Sequence, residues 1–255
     1  MITVDVESVP AQSGGAALVI GASGGIGAAV LRHYLSDNRF EQVVAVSRSA
    51  RPRDLSPYGD KLNWMRSDYG EASIAEMCQN LAASTIDLRR VVICNGILHK
   101  EDLQPEKAIE KLRSRALLEV FESNAVGPLL WLSALAGQLR RSTDCIVAVL
   151  SARVGSIGDN RLGGWYSYRA SKAALNMLLK TAAIEYARRA PRVKLVAFHP
   201  GTTDTALSRP FQRNVPEEKL FAPEFVALRL VTLLDQVKAD GELSFLDWDG
   251  KPIPW

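Results

Sequence analysis

The 255-residue sequence predicts a doubly wound α/β fold, a parallel sheet of about seven strands with helices on both faces, in a single domain. Three observations carry that prediction. Short apolar runs that suit buried strands alternate with longer stretches whose apolar residues recur at helical spacing. A turn of glycine and small residues separates the first strand-like run from the first helix-like one. No linker, repeat or change of composition divides the chain.

Composition narrows the function classes. With 47% apolar and 23% charged residues, one sizeable core is expected. The formal net charge is only +3 and there is no block of consecutive basic residues, which argues against nucleic acid or a membrane surface as a partner. Cys78, Cys94 and Cys145 are isolated, and His33, His99 and His199 lack metal-ligand spacing, so no metal is expected. No stretch approaches the ~18 consecutive apolar residues of a transmembrane helix, and the N-terminus lacks the pattern of a secretory leader. A reducing, cytoplasmic location is the expectation.

Taken in order, residues 1–15 end in turn formers and are expected as an N-terminal extension, either a short edge strand or a loose tail, before a domain over 16–255. Residues 16–20, Ala-Ala-Leu-Val-Ile, suit a strand buried on both faces. The turn Gly21-Ala-Ser-Gly-Gly-Ile-Gly27 follows, then a helix over 28–35. Gly21 permits the tight turn, the next glycines let a phosphate approach the backbone, and Gly27 lets helix and strand pack closely. Unpaired N–H groups and the helix dipole then face an anion, which makes a dinucleotide site. The glycines fit both G-x-x-x-G-x-G and G-x-x-G-x-x-G.

Strands are expected over 42–47 and 61–65, a helix over 72–83, and a strand over 91–94 ending in Asn95-Gly96. Helical patterns over 108–118 and 129–140 are joined through Asn124-Ala-Val-Gly-Pro128, where Gly and Pro mark a boundary or kink. A strand over 145–150, a glycine-bearing loop over 155–164 and a long helix over 168–188 come next. The strand over 193–198 is stopped by Pro200-Gly201, and the mixed stretch 202–222 is expected as a surface flap. A helix over 223–237 and a short strand over 243–246 close the chain. Ligands of such sheets sit at the carboxyl ends of the strands. Gly21, Asn95-Gly96, Ser151 and Pro200-Gly201 all fall there, so they are expected to converge on one crevice.

The chemistry lies in Tyr168-Arg-Ala-Ser-Lys172, at the start of the long helix. The spacing stacks the Tyr and Lys side chains on one helix face. An ammonium near a phenol favours the phenolate, which lowers the tyrosine pKa and makes it a general acid or base.

Together with the glycine turn, Asp68, Asn95-Gly96, Asn124-Ala-Val-Gly127 and Pro200-Gly-Thr-Thr203, this pair makes the sequence resemble the short-chain dehydrogenase/reductase family over nearly its whole length. The run Gly155-Ser-Ile-Gly-Asp-Asn160 and the ending Trp248-Asp-Gly-Lys-Pro-Ile-Pro-Trp255 look most like the branch of bacterial C-factor-like proteins and sniffer-type carbonyl reductases. The resemblance implies a Rossmann-like domain in which Tyr168 is the catalytic acid. Lys172 tunes it and holds the nicotinamide ribose, and Asn124 completes a proton relay through a water. It further implies cofactor contacts from Gly21, Ser23, Gly25, Ile26 and Gly27, from Asp68 to the adenine, from Asn95 and Gly96, and from Pro200, Gly201 and Thr203 over the nicotinamide.

One position departs from the family pattern. A serine usually stands three residues before a glycine at the end of the fifth strand, and here that position is Ala152. Ser151 is adjacent, but neighbouring strand side chains point to opposite faces, so its hydroxyl is expected to face away. Ser156, just beyond the strand, offers a substitute. After the second strand the chain reads Val46-Ser47-Arg48-Ser49, with no acidic residue for a ribose 2′-hydroxyl. Arg48 offers a planar cation for a 2′-phosphate and Ser47 a hydrogen bond, so NADP is expected in preference to NAD.

Three readings follow. The leading one is an NADP-dependent carbonyl reductase or alcohol dehydrogenase acting on a small-molecule carbonyl or alcohol, with Leu207, Phe211, Leu220 and Phe221 as an apolar lid. The second is an NAD(P)-binding sensor or signalling protein with weak or no turnover, which Ala152 and the C-factor resemblance keep open. The third, a nucleotide-sugar epimerase or dehydratase, is disfavoured because such relatives carry a larger substrate domain. A homodimer or homotetramer is expected, because Leu129, Leu130, Trp131, Leu132, Leu135, Leu175, Met177, Leu178 and Leu179 exceed what one helix face against a sheet needs.

Overall fold

The computed structural model describes residues 14–84 and 86–255. The extension expected over 1–15 therefore lies outside the described residues, apart from its last two glycines. A seven-stranded, wholly parallel sheet forms the centre, in the order β3-β2-β1-β4-β5-β6-β9. Its strands are β1 (Gly15–Ile20), β2 (Phe40–Ser47), β3 (Leu62–Arg66), β4 (Leu88–Ile93), β5 (Cys145–Leu150), β6 (Val193–His199) and β9 (Leu243–Asp247). The chain runs outward from β1 to β3 and returns to β4 on the other side of β1, so the order reverses between β1 and β4. A crevice opens at the carboxyl ends of the strands at such a reversal.

Period-two alternation divides the strand side chains between two cores. Ala16, Leu18 and Ile20 join one cluster with Trp131, Leu135 and Leu175, whereas Ala17 and Val19 join the other with Val30, Val226 and Leu230. The first core is covered by α2 (Glu71–Ala83), α4 (Gly127–Arg141) and α5 (Tyr166–Arg189). The second is covered by α1 (Gly25–Ser36) and α6 (Pro223–Gln236), which pack on each other. Both faces of the sheet are thus buried, as continuous apolar strands require. Among the described residues no helix is long and apolar enough to cross a membrane.

The helix expected over 108–118 does not form as one unit. A short 3₁₀ turn at Ile109–Lys111 is followed by extended backbone at Leu112 and Arg113, and α3 occupies only Ser114–Phe121. The apolar period there has no core to face: Ile109 and Leu112 are exposed. Of the boundary or kink expected at 124–128, the structure has an irregularity rather than a break: a π-turn, Glu122–Val126, through which α3 runs into α4. The stretch 202–222 is a flap tied at its base by two short strands, β7 (Thr202–Thr203) and β8 (Leu220–Phe221), paired in parallel.

Candidate active site

At the end of β1, Gly21 has φ +83°, a left-handed conformation that only glycine adopts without strain. A Cβ on Gly27 would run into the Gly21 carbonyl, and one on Gly25 would meet Thr205 at 2.6 Å. No side-chain cap and no acidic residue occupies the first turn of α1, so its N–H groups are open to an anion.

This turn forms one wall of a cavity of about 340 Å³, which Arg48, Asn95, Gly96, Asn124, Tyr168, Lys172 and Pro200 also line. A second cavity of about 290 Å³ adjoins it, walled mainly by apolar groups such as Leu98, Val154, Trp165, Leu207, Phe211 and Val215. Ile26, Ser151, Tyr168, Pro200, Thr205 and Leu207 belong to both, so Tyr168 stands where the two meet. The expected convergence of Asn95-Gly96, Ser151 and Pro200-Gly201 occurs, with Gly201 and Thr203 on the second cavity rather than the first.

Lys172 is 3% exposed; its Nζ donates to the Leu150 carbonyl at 2.8 Å and lies 5.9 Å from the centre of the Tyr168 ring. Burial pushes the Tyr168 phenol up to about 12 and the Lys172 ammonium down to about 8. The expected lowering of the tyrosine by its lysine is therefore overridden by desolvation of both groups. A protonated phenol at neutral pH suits proton donation to a carbonyl.

Asn124 is fully buried within the π-turn. Its Oδ1 accepts the Ile97 N–H at 2.7 Å, and its Nδ2 donates to the Ile97 carbonyl at 2.9 Å and to Ser171 Oγ at 3.1 Å. These bonds hold the loop after β4 against α5. Pro128 has no N–H to offer the Asn124 carbonyl four residues back. Asn95 Oδ1 is buried and has no hydrogen-bond partner among the described residues, although Asn95 borders the first cavity.

Other expected contacts sit elsewhere. Ser47 Oγ is buried and donates to Ser23 Oγ at 2.7 Å, so it braces the glycine turn; neither serine, nor Gly21, lines either of these two cavities. Asp68 is exposed, outside both cavity walls, and accepts the Gly70 N–H at 2.8 Å in a turn ahead of α2. Arg48 is exposed at the rim, its guanidinium 5.7 Å over the Tyr69 ring.

Ala152 lines the second cavity beside Tyr168, with no hydroxyl to present. Ser151 Oγ turns away, as its strand position predicts, and donates to Asn176 Oδ1 at 2.7 Å. Ser156 is no substitute: its buried hydroxyl accepts the Asp159 N–H at 3.0 Å, and it borders neither cavity.

Of the expected lid, Leu207 and Phe211 face the second cavity, whereas Phe221 packs on Phe225 and Trp248 and Leu220 pairs in β8. Sequence reasoning missed Trp165 and His199, which also line this cavity. Trp165 was detectable as a large aromatic three residues before Tyr168, on the turn that leads to it. His199 had a weaker signal, its place at the end of a strand just before Pro200.

A glycine turn over the reversal of a parallel sheet, with a buried Tyr and Lys beside it, defines a dinucleotide-binding oxidoreductase scaffold. The chain belongs to the short chain dehydrogenase family, whose profile matches residues 15–216. It is 27% identical over 238 residues, 93% of this chain and 98% of the relative, to 1-hydroxy-2-glutathionyl-2-methyl-3-butene dehydrogenase of Rhodococcus sp. strain AD45. To the C-signal of Myxococcus xanthus it is 32% identical over 139 residues, 54% of this chain and 78% of the relative. A carbonyl reductase of Pseudomonas aeruginosa PAO1 in complex with NADP superposes with a TM-score of 0.75 at 25% identity, over 95% of this chain and 100% of that one. The C-signal and the carbonyl reductase agree with the branch to which the sequence resemblance points.

Proposed function

We propose that the protein is an NADP-dependent oxidoreductase that interconverts a small apolar carbonyl compound and its alcohol. The observation that carries this is the position of Tyr168 where the glycine-turn cavity meets the apolar one. The glycine turn, the open N-terminus of α1 and the buried Asn95 Oδ1, which has no partner among the described residues, fit a dinucleotide, and Arg48 at the rim fits a 2′-phosphate. The complex of the Pseudomonas carbonyl reductase with NADP supports the choice of cofactor. Bound there, the nicotinamide supplies hydride.

The chain's own part is to orient and to move a proton. Tyr168 Oη gives its proton to the carbonyl oxygen as negative charge develops there. Lys172, held on the Leu150 carbonyl with its ammonium 5.9 Å from the Tyr168 ring centre, would hold the ribose hydroxyls, and Asn124 keeps the loop after β4 docked on α5. Leu98, Val154, Trp165 and Phe211 exclude water from the reacting carbonyl.

Oxidation of NADPH measured against aldehydes, ketones and diketones tests this. Turnover that Tyr168→Phe abolishes supports it, and absence of turnover with every carbonyl overturns it. Ala152 favours a second reading, a cofactor-binding sensor with little turnover, in keeping with the likeness to a protein named C-signal. That reading requires NADPH binding without oxidation.

A further inference from the structure

The helix that carries Tyr168 begins in an unusual way. Gly163, Gly164 and Trp165 are three successive residues with left-handed backbone, at φ +64°, +66° and +51°. A tryptophan adopts this conformation only against the contact of its Cβ with the following carbonyl oxygen, and something must hold it. Trp165 also occupies the N-cap of α5, where its side chain has no oxygen to offer the free N–H groups of the first turn, and that turn holds no acidic residue.

The missing cap comes from Glu106, 61 residues before Ser167 in the chain. Its main-chain carbonyl accepts the Trp165 N–H at 2.5 Å. Its carboxylate Oε2 accepts the Ser167 N–H at 3.1 Å, and Oε1 accepts the Ser167 hydroxyl. Glu106 is 6% exposed and Ser167 2%, so this is a buried carboxylate whose oxygens both meet the start of a helix, where negative charge is favoured. One residue thus fixes both the strained turn and the first turn of α5.

What it fixes faces the reaction. Tyr168 directly follows Ser167. Trp165 lies edge-on to Tyr168 at 6.2 Å between ring centres and to Phe211 of the flap at 5.1 Å. Phe211 in turn meets His99, whose Nε2 lies 3.2 Å from the Ala206 carbonyl. We propose that Glu106 is a positioning residue: by capping α5 from a distance it holds Tyr168 at the junction of the two cavities and Trp165 as the wall against which the flap closes. The inference rests on the proposed role of Tyr168. Small displacements of a proton donor cost rate steeply, whereas Glu106 does not line the cavity that the glycine turn walls.

The test compares Glu106→Ala, Glu106→Gln and Ser167→Ala in the full chain by three measurements. In steady-state reduction of the best carbonyl found, Glu106→Ala is expected to lower kcat by about tenfold to a hundredfold. The Kd for NADPH should change by less than about threefold. Glu106→Gln, which keeps an acceptor for the Ser167 N–H, should recover most of the loss. In amide hydrogen exchange, the segment 163–171 should lose protection in Glu106→Ala while 172–189 keeps it. A kcat within about twofold of the unmutated protein, or a Gln variant as slow as the Ala one, overturns the inference, as does a loss of protection spread over the whole chain. Ser167→Ala gives the same readout where Glu106→Ala does not fold. A protein that turns over no carbonyl overturns the role of Tyr168 instead, and exchange in 163–171 still decides whether Glu106 holds the turn.

Discussion

On the proposed function, Ala152 would set the rate and Arg48 the choice of dinucleotide. If a hydroxyl at position 152 normally steadies the carbonyl oxygen, its lack costs on the order of 10²–10³ in kcat. Slow native turnover is therefore expected, which Ala152→Ser raises and Tyr168→Phe abolishes. Ser156→Ala is expected to leave kcat unchanged, because the Ser156 hydroxyl is spent on the Asp159 N–H; high native turnover lost on that change alone would overturn the account. For Arg48, a charge-assisted contact of roughly 1.5–3 kcal/mol predicts NADPH binding at least about tenfold tighter than NADH. Arg48→Ala should erase most of the difference, and equal affinities in the unmutated protein would remove Arg48 from the site. His199 adds a pH dependence. Burial, and then the Arg153 cation, push its imidazole from an ordinary 6.5 down to about 4. The unfolded chain then takes up a proton between those values that the folded chain refuses, so this contribution to stability is complete above pH 6.5 and is lost as pH falls towards 4. Urea midpoints across that range should fall less steeply for His199→Gln.

At the scale of elements, the glycine turn and the helix start differ in how far the sequence discloses them. The turn is legible because its chemistry is local: Gly21 sits at positive φ and Gly27 against the Gly21 carbonyl, and only glycine satisfies either. Gly27→Ala is accordingly expected to cost about 1–3 kcal/mol in thermal or urea unfolding and to abolish dinucleotide binding, since backbone on both sides cannot yield. Full affinity in that variant would mean that the turn is not the phosphate site. Strands β1, β5 and β6 were equally legible as short apolar runs buried on both faces. The segment 108–118 was not, because its apolar period has no core to meet. Ser47 and Asp68 show the same limit: each stood near the crevice in the chain, but hydrogen bonds invisible in a linear reading join Ser47 to Ser23 of the glycine turn and Asp68 to Gly70 of its own turn. The cap on α5 was hidden for a different reason, since its donor and acceptor come from distant segments.

For the whole molecule, the covered and uncovered apolar residues bear on assembly. Most of those that suggested an oligomer from sequence serve the chain's own core: Trp131, Leu132, Leu135, Leu175 and Leu179 are buried. Met177 from that set is exposed, and Leu118 and Ile184, which were not in it, join it. Leu118 on α3 is 65% exposed, and Met177 and Ile184 on α5 are 67% and 50% exposed. Met177 and Ile184 stand two turns apart on one face of α5, and α3 packs against α5. Scattered exposed apolar side chains are ordinary, but several on two adjoining helices make a surface that a second copy would cover at a gain of about 25 cal/mol per Å². A dimer or tetramer is therefore expected in light scattering at micromolar concentration. Leu118→Glu with Met177→Glu should shift it towards the monomer without lowering the unfolding midpoint of the monomer itself, because neither side chain is part of the core. A monomer-sized particle in the unmutated protein would count against assembly through these helices, and a midpoint that collapses with the double substitution would assign the residues to folding instead.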